Sequence, residues 1–194
     1  PEQVVVVPIW QEDTKEDVIA YAADVAEELE EAGLRVHLDD RDERNPGFKF
    51  NEWELFGVPV RLEIGPHEVD EETVTVVHRP DGESTVEEAD DVGETVADHL
   101  EAVHEKLYDA AAENLEENVR EAHEVSEILG TIGKHGGYVK TAWCGDEACE
   151  TVIKDEIAAE IVMIPMEEDV EPPADDCSVC GDPAVETAYF ARTY

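Results

Sequence analysis

The chain has 194 residues, which is enough for one or two domains that each bury a core. Its 52 Asp and Glu residues outnumber 13 Lys and Arg residues, which gives a formal net charge of -39. No run of about 18 apolar residues is present, so the sequence predicts no transmembrane helix. The start of the sequence does not resemble a signal peptide, and we therefore expect a cytoplasmic protein.

The acidity needs an explanation, because strongly acidic chains are often disordered. Here 42% of the residues are hydrophobic and they recur at regular spacing, which favours a folded protein. We interpret the charge as a halophilic adaptation to multimolar salt. The Debye length at 1 M salt is only about 3 Å, so self-repulsion between the carboxylates is screened.

The first part of the sequence predicts a mixed sheet covered by helices. A β-branched strand at residues 4–7 precedes an amphipathic helix, which Thr14 and Asp17 begin as a capping box and Gly33 ends. An alternating strand follows at 34–38, and this β-α-β order predicts an α/β fold. The other predicted elements are an aromatic helix at 48–56, strands at 58–64, 73–78 and 84–86, and a long helix from 90 to 115. We therefore expect a mixed five-stranded sheet with flanking helices.

A weak change of pattern near residues 118–122 suggests a boundary. We expect two domains, residues 1–117 and a smaller α/β domain at residues 118–194. The predicted elements of the second domain are helices at 126–134 and 148–157 and strands at 138–142, 160–164 and 185–194.

All four cysteines lie in this second domain, as two short-spaced pairs: Cys144 with Cys149, and Cys177 with Cys180. Two such pairs on loops are typical of a tetrahedral zinc site, and four thiolates leave no open position for substrate. We therefore predict a structural zinc ion. Two disulfides and four free thiols are the alternatives, although disulfides are uncommon in the cytosol.

A long stretch of the first domain carries a family resemblance. Residues 41–66 read R-D-E-R-N-P-G-F-K-F-N-E-W-E-L-F-G-V-P-V-R-L-E-I-G-P, which resembles the anticodon-binding domain of prolyl-tRNA synthetases of the archaeal and eukaryotic type. Two departures are visible: Phe56 stands where that family usually has Lys, and His67-Glu68 stands where it has Arg-Asp. The cysteine pairs and the ending F-A-R-T-Y are similar to the zinc-binding C-terminal domain of the same enzymes.

The resemblance implies a function that the full enzyme completes elsewhere. Such enzymes join proline to its tRNA through an adenylate made from ATP, in a catalytic domain that precedes this region and usually forms a homodimer. That domain and its ATP site are not in this sequence, and the absence of an initiator Met also suggests a fragment. We expect this fragment alone to be catalytically inactive and to recognise the anticodon of proline tRNA. The resemblance also leads us to ask whether the carboxylate of Tyr194 reaches the catalytic domain.

The proline anticodon contains two guanines, which offer O6 and N7 as acceptors and N1-H and N2-H2 as donors. A site for them should therefore combine basic and acidic side chains. The candidates are Arg41 and Lys49 as donors, Glu43, Glu63 and Glu68 as acceptors, Phe48 or Trp53 for stacking, and Arg61 beside Glu63 on one strand face.

Each candidate has a structural alternative. Trp53 suits a core position as well as a stacking platform, and Arg61 and Glu63 suit a cross-strand ion pair. Two other functions stay open for the whole chain: a free-standing nucleic-acid-binding or protein-binding module, and a metal-stabilised interaction domain.

Overall fold

The computed structural model describes residues 1–166 and 176–193. The predicted acidic, Pro-rich loop falls largely outside these residues, as does Tyr194. The chain divides into two compact units, Pro1–Ala110 and Ala111–Tyr194. Within the described residues, no helix combines the length and hydropathy that crossing a membrane requires.

The first unit is built on the predicted five-stranded mixed sheet. Its strands run in the order β2-β1-β3-β4-β5, with β1 parallel to β2 and β3, and β4 antiparallel to both β3 and β5. The β-α-β opening and the mixed sheet predicted from the sequence are thereby confirmed. The strands are β1 (Val4–Pro8), β2 (Val36–Leu38), β3 (Val60–Ile64), β4 (Thr73–His78) and β5 (Ser84–Glu88).

Four helices accompany this sheet: α1 (Lys15–Glu31), α2 (Pro46–Phe56), α3 (Pro66–Glu71) and α4 (Val92–Asn118). Because side chains alternate across a strand, one face of the sheet carries Val4, Val6, Val60, Leu62 and Ile64, which are fully buried in one core with apolar residues of α1 and α4. The opposite face, called the outer face below, carries Val5 and Val7, which pack with Phe50 and Trp53 of α2.

Two local predictions differ from the structure. The capping box at Thr14 is wrong: the Thr14 hydroxyl accepts from the Gln11 backbone N–H at 3.1 Å and donates to the Gln11 carbonyl, closing the preceding turn. Helix α3 was not predicted, because its six residues are too few to show a helical repeat of apolar positions.

The second unit contains a four-stranded sheet in the order β6-β7-β9-β8. Its elements are β6 (Val119–Glu121), α5 (Val125–His135), β7 (Tyr138–Trp143), α6 (Glu147–Ile157), β8 (Ala159–Met163) and β9 (Glu186–Arg192). Ile128, Ile132, Val139, Ile153 and Phe190 form the centre of its core and are almost fully buried. The three-residue strand β6 is the one element here that the sequence did not predict, since a strand this short has no readable alternation.

Candidate nucleic-acid interface and metal centre

Arg41, Lys49 and Trp53, three of the eight predicted base-reading residues, contact Asp39. Asp39 directly follows β2, at the carboxyl ends of the parallel strands. The Asp39 backbone N–H donates to the carbonyl of Val6, which extends the pairing of β2 with β1. Its side chain is fully buried and accepts from Arg41 Nε at 2.8 Å, Arg41 Nη2 at 2.7 Å and Trp53 Nε1 at 2.7 Å. Asp39 therefore fixes the positions of two residues that the sequence singled out.

Lys49 is the second buried charge of this cluster. Its side chain is only 1% exposed, and Nζ donates to the Asp39 carbonyl at 2.8 Å, lies 3.8 Å from Asp39 Oδ1 and lies 4.8 Å from the Trp10 ring centre. Burial lowers the pKa of Lys49, although the Asp39 charge opposes this. In this conformation the ammonium group is enclosed, so it supports the loop from within rather than facing solvent.

The same contacts determine the ionisation of Asp39. Burial alone would raise the pKa of this carboxyl group, but hydrogen bonds from Arg41 and Trp53 and the charges of Lys49 and Arg41 outweigh burial and lower the pKa to about 2. Asp39 is thus a fully ionised internal anion at neutral pH, neutralised by one buried and one half-exposed cation.

Arg41, Glu43 and Phe48 reach the surface. The Arg41 side chain keeps 34% of its surface exposed, and its Nη2 also bonds Glu52 at 2.5 Å. Glu43 is exposed, and Phe48 is 40% exposed with the Arg44 guanidinium 4.3 Å from its ring centre. A guanidinium, a carboxylate and an aromatic ring are therefore all open to solvent, on the loop after β2 and the first turn of α2.

Trp53 combines the two roles that the sequence left open. Its ring packs beside the buried valines of the outer face, 4.6 Å from the His37 ring and 5.6 Å from the Phe56 ring, but it remains partly exposed. Its indole N–H is already bonded to Asp39. The ring can therefore offer an edge or part of a face to a ligand without losing its structural contacts.

Arg61 and Glu63 lie on the outer face of β3, as their alternation predicted. Arg61 Nε and Nη2 donate to Glu63 Oε1 at 2.9 and 2.8 Å, so the two form an ion pair within one strand, not across strands. The Arg61 guanidinium also lies 4.2 Å from the Phe50 ring centre. Both side chains are about one-fifth exposed, which leaves free edges of both charges on the open sheet surface.

Glu68 has a structural position. It lies in the first turn of α3, where one carboxylate oxygen accepts from the Gly65 backbone N–H at 2.8 Å and the other accepts from the Thr75 hydroxyl at 3.0 Å. Both oxygens are thus engaged inside the protein. This position could not be predicted, because the helix that Glu68 caps was itself not predicted.

Sequence reasoning also left Asp39, Arg44 and Glu52 out of the site. One signal could have indicated the buried part of it: Lys49 and Trp53 are four residues apart, so they share one face of α2 with each other. A helix that turns Trp53 towards the sheet must also turn Lys49 inward, where it needs an acceptor such as Asp39.

The four cysteines of the second unit form one cluster of free thiols, with all four sulfur atoms within 4.8 Å of one another. Cys144 Sγ lies 3.6 Å from Cys149 Sγ and 3.7 Å from Cys180 Sγ. Four Zn–S bonds of about 2.3 Å in a tetrahedron place sulfurs about 3.8 Å apart, so the spacing fits a tetrathiolate zinc site.

The loops that carry the thiols are shaped for such a cluster. Gly145 and Gly181, which follow the first and last cysteine, have φ values of +84° and +77°, a region that favours glycine. Burial alone would raise the pKa of Cys177, but backbone N–H groups of Cys180, Val179 and Cys144 lower it to about 7. Burial and neighbouring thiols raise the pKa of Cys149. A metal ion bound to the cluster would stabilise the thiolate form of both Cys177 and Cys149, and so remove this difference between their pKa values.

Comparisons with known proteins bear on both units. A family model described as an anticodon binding domain matches residues 3–107, more than half of the chain. This chain belongs to the anticodon binding domain family. A second model, described as the C-terminal part of prolyl-tRNA synthetase, matches residues 125–194. Both confirm the resemblance stated from the sequence.

Individual relatives give the same result over the whole chain. The chain is 63% identical to a proline–tRNA ligase of Haloarcula marismortui and 66% identical to one of Natronomonas pharaonis, over 100% of its length in each case. It is 41% identical to a proline–tRNA ligase of Thermococcus kodakarensis. The chain spans about 40% of the length of these relatives.

A solved structure matches the fold closely. The crystal structure of Cryptosporidium parvum prolyl-tRNA synthetase, complexed with halofuginone and AMPPNP, superimposes with a TM-score of 0.85 at 28% sequence identity. The match covers 100% of this chain and 41% of that chain. The α/β fold class predicted from the sequence is therefore confirmed.

Proposed function

We propose that this chain recognises the anticodon of proline tRNA as the C-terminal part of a prolyl-tRNA synthetase. The observation that carries this proposal is the partly exposed surface where guanidinium, carboxylate and aromatic groups lie together, on the loop after β2 and on the outer face of β3. The family matches to an anticodon binding domain and to a prolyl-tRNA synthetase C-terminal region support it.

The eight predicted residues divide into two roles in this proposal. Arg41 and Arg61 donate to guanine O6 and N7, Glu43 and Glu63 accept from N1-H and N2-H2, and a splayed base stacks on Phe48 or the free edge of Trp53. Lys49 and Glu68 act from inside: Lys49 holds Asp39, and Glu68 holds the start of α3. The exposed groups thus meet the RNA, and the buried ones keep them in position.

The acidity of the chain fits this proposal if the protein works in multimolar salt. Screening then removes the long-range repulsion between a strongly acidic protein and RNA. The same salt removes most of the gain from counterion release, so binding depends on stacking and short hydrogen bonds. A halophilic origin agrees with the high identity to the ligases of Haloarcula marismortui and Natronomonas pharaonis.

We further propose that the two predicted domains, residues 1–117 and 118–194, carry different tasks. The first contacts the anticodon, and the second binds structural zinc through Cys144, Cys149, Cys177 and Cys180. Proline activation with ATP belongs to a catalytic domain outside this chain, which also supplies the homodimer contact. The full protein then acts in the cytoplasm, and this chain alone forms no prolyl-adenylate.

Titration with proline tRNA tests the proposed function. Changing both anticodon guanines should weaken binding by about tenfold or more, because each well-placed base contact is worth about 1–3 kcal/mol. Arg61→Gln should weaken binding of the unaltered tRNA, whereas Arg35→Gln, an exposed residue bonded to the Pro1 carbonyl, should not. Equal affinity for both tRNAs would instead favour a general nucleic-acid-binding module, and no binding at any salt concentration would favour a metal-stabilised interaction domain.

A further inference from the structure

A cleft of about 330 Å³ opens on the outer face of the sheet, between α2 and the turn that joins β4 to β5. Val5, Val58 and Val77 line it with apolar surface, and Trp53 lies at its α2 side. Ionic side chains of both signs complete the lining, among them Glu54 and Arg79. A concave site that combines apolar surface with convergent polar groups is a common form of small-ligand site.

Arg79 is a cation without an ionic partner in residues 1–166 and 176–193 of a very acidic protein. It directly follows β4, and its backbone N–H donates to the Pro59 carbonyl at 3.0 Å. Among the described residues its guanidinium forms no ion pair, and its Nε is buried without a hydrogen-bond partner. Arg79 therefore carries a hydrogen-bond donor that is unused within the described residues, and its side chain lines the cleft.

Glu54 provides a negative charge on the α2 side of the cleft. It is exposed on α2, and in the described part of the chain its carboxylate has neither a hydrogen bond nor an ion pair. Other charged groups that line the cleft are occupied: Arg61 pairs with Glu63, and Asp81 pairs with Lys106 at 2.8 Å. Arg79 and Glu54 therefore line one cleft without pairing with each other.

We propose that this cleft receives one guanine of the bound RNA, with Arg79 donating to O6 and N7 and Glu54 accepting from N1-H and N2-H2. Guanine is the base whose edges require both a cation and an anion, and an arginine fork matches O6 and N7 bidentately. The partly exposed Trp53 ring borders the base, and the largely buried Val5, Val58 and Val77 form the apolar floor of the cleft beneath it. This inference rests on the proposed function: Arg79 and Glu54 join Arg61, which also lines the cleft, around the guanine at the outer face of β3, and Arg41 and Glu43 meet the other guanine.

A stem-loop RNA with two adjacent guanines in its loop is the probe, titrated against the whole chain. Replacing one of the guanines by 7-deazaguanine removes N7 and should weaken binding by the wild type about tenfold, as should Arg79→Gln with the unmodified RNA. The two changes together should cost no more than one, because they remove the same contact. Replacing the same guanine by inosine, which lacks the N2 amino group, should weaken binding by the wild type about tenfold, as should Glu54→Gln with the unmodified RNA. These two changes together should again cost no more than one.

Controls separate contact loss from misfolding. Arg35→Gln should bind like the wild type, Arg79→Lys should recover part of the affinity, and thermal melting should show that Arg79→Gln is folded. Wild-type affinity in Arg79→Gln, or additive losses from Arg79→Gln and 7-deazaguanine at both positions, would overturn the guanine assignment while leaving anticodon recognition intact. Failure of the wild type to bind the RNA would overturn the proposed function and this inference with it.

Discussion

Replacing Cys177 with serine, or removing zinc with a chelator, is expected to unfold the second unit while the first stays folded. Cys177 is almost fully buried in the thiol cluster, and its backbone N–H and carbonyl also close the loop through bonds to Asp182 and Gly181. The free energy of zinc binding to a site of this kind contributes directly to the stability of the fold, because the unfolded chain does not hold the four thiolates together. We expect the free energy of unfolding of the second unit to fall by more than about 4 kcal/mol, which is typical of the loss of a structural metal site.

Hydrogen exchange of backbone amides measures this effect unit by unit. Amides of β7 and β9, which pair with each other beside the cysteine loops, should lose protection, whereas those of β1 and β3 should keep it. Zinc content determined by mass spectrometry should be one ion per chain before chelation. An unchanged exchange pattern in a protein proven free of metal would show that the cluster does not need zinc to fold.

Asp39→Asn should be the most damaging single substitution in the first unit. It removes the charge that neutralises buried Lys49, and it places an amide where the donors of Arg41 and Trp53 need an acceptor. Breaking a buried ion pair by removing one partner costs about 3–5 kcal/mol. Urea unfolding measures the loss, and Asp42→Asn is the matched control. Among the described residues that exposed carboxylate pairs with Lys15 alone, so its replacement should cost no more than about 1 kcal/mol.

The same carboxylate predicts how stability depends on pH. The pKa of Asp39 is lowered from its usual 3.8 to about 2, so the unfolded chain takes up this proton before the native protein does. Its stabilisation is therefore complete above about pH 5 and is lost as the pH falls towards 2, by about 2 kcal/mol in total. The Asp39→Asn variant should lack this part of the decrease in stability at acid pH. A stability difference between wild type and variant that is small and constant from pH 6 to pH 2 would contradict the structural role of Asp39.

The main elements of the fold could be predicted from the sequence because each is long enough to show a pattern of apolar residues. The β-branched run of β4, followed by the turn residues Pro80-Asp81-Gly82, indicated its bounds, residues 73–78. The apolar positions of α1 and of the first half of α4 indicated their inner faces. Helix α3 and strand β6 were missed because elements of six and three residues have no detectable period. Their formation depends on tertiary contacts, such as the pairing of β6 with β7.

Residue types in the candidate site were predictable, but their exposure was not. Lys49 and Arg41 look equivalent in the sequence, yet one is enclosed beneath Asp39 and the other remains half open. The difference arises from the face of α2 that meets the sheet, which one sequence does not specify for a short aromatic helix. The cysteine cluster was predictable from spacing alone, since two close pairs on loops have few other uses.

The most direct measurement is the ratio of two dissociation constants in multimolar KCl: one for a stem-loop RNA with both guanines, the other for the same loop with adenines in their place. Base contacts that rest on short hydrogen bonds and stacking should survive high salt, so we expect the adenine loop to bind at least about tenfold more weakly. A ratio near one, with both affinities falling steeply as salt rises, would mean that the chain contacts only the phosphate backbone and does not read the anticodon.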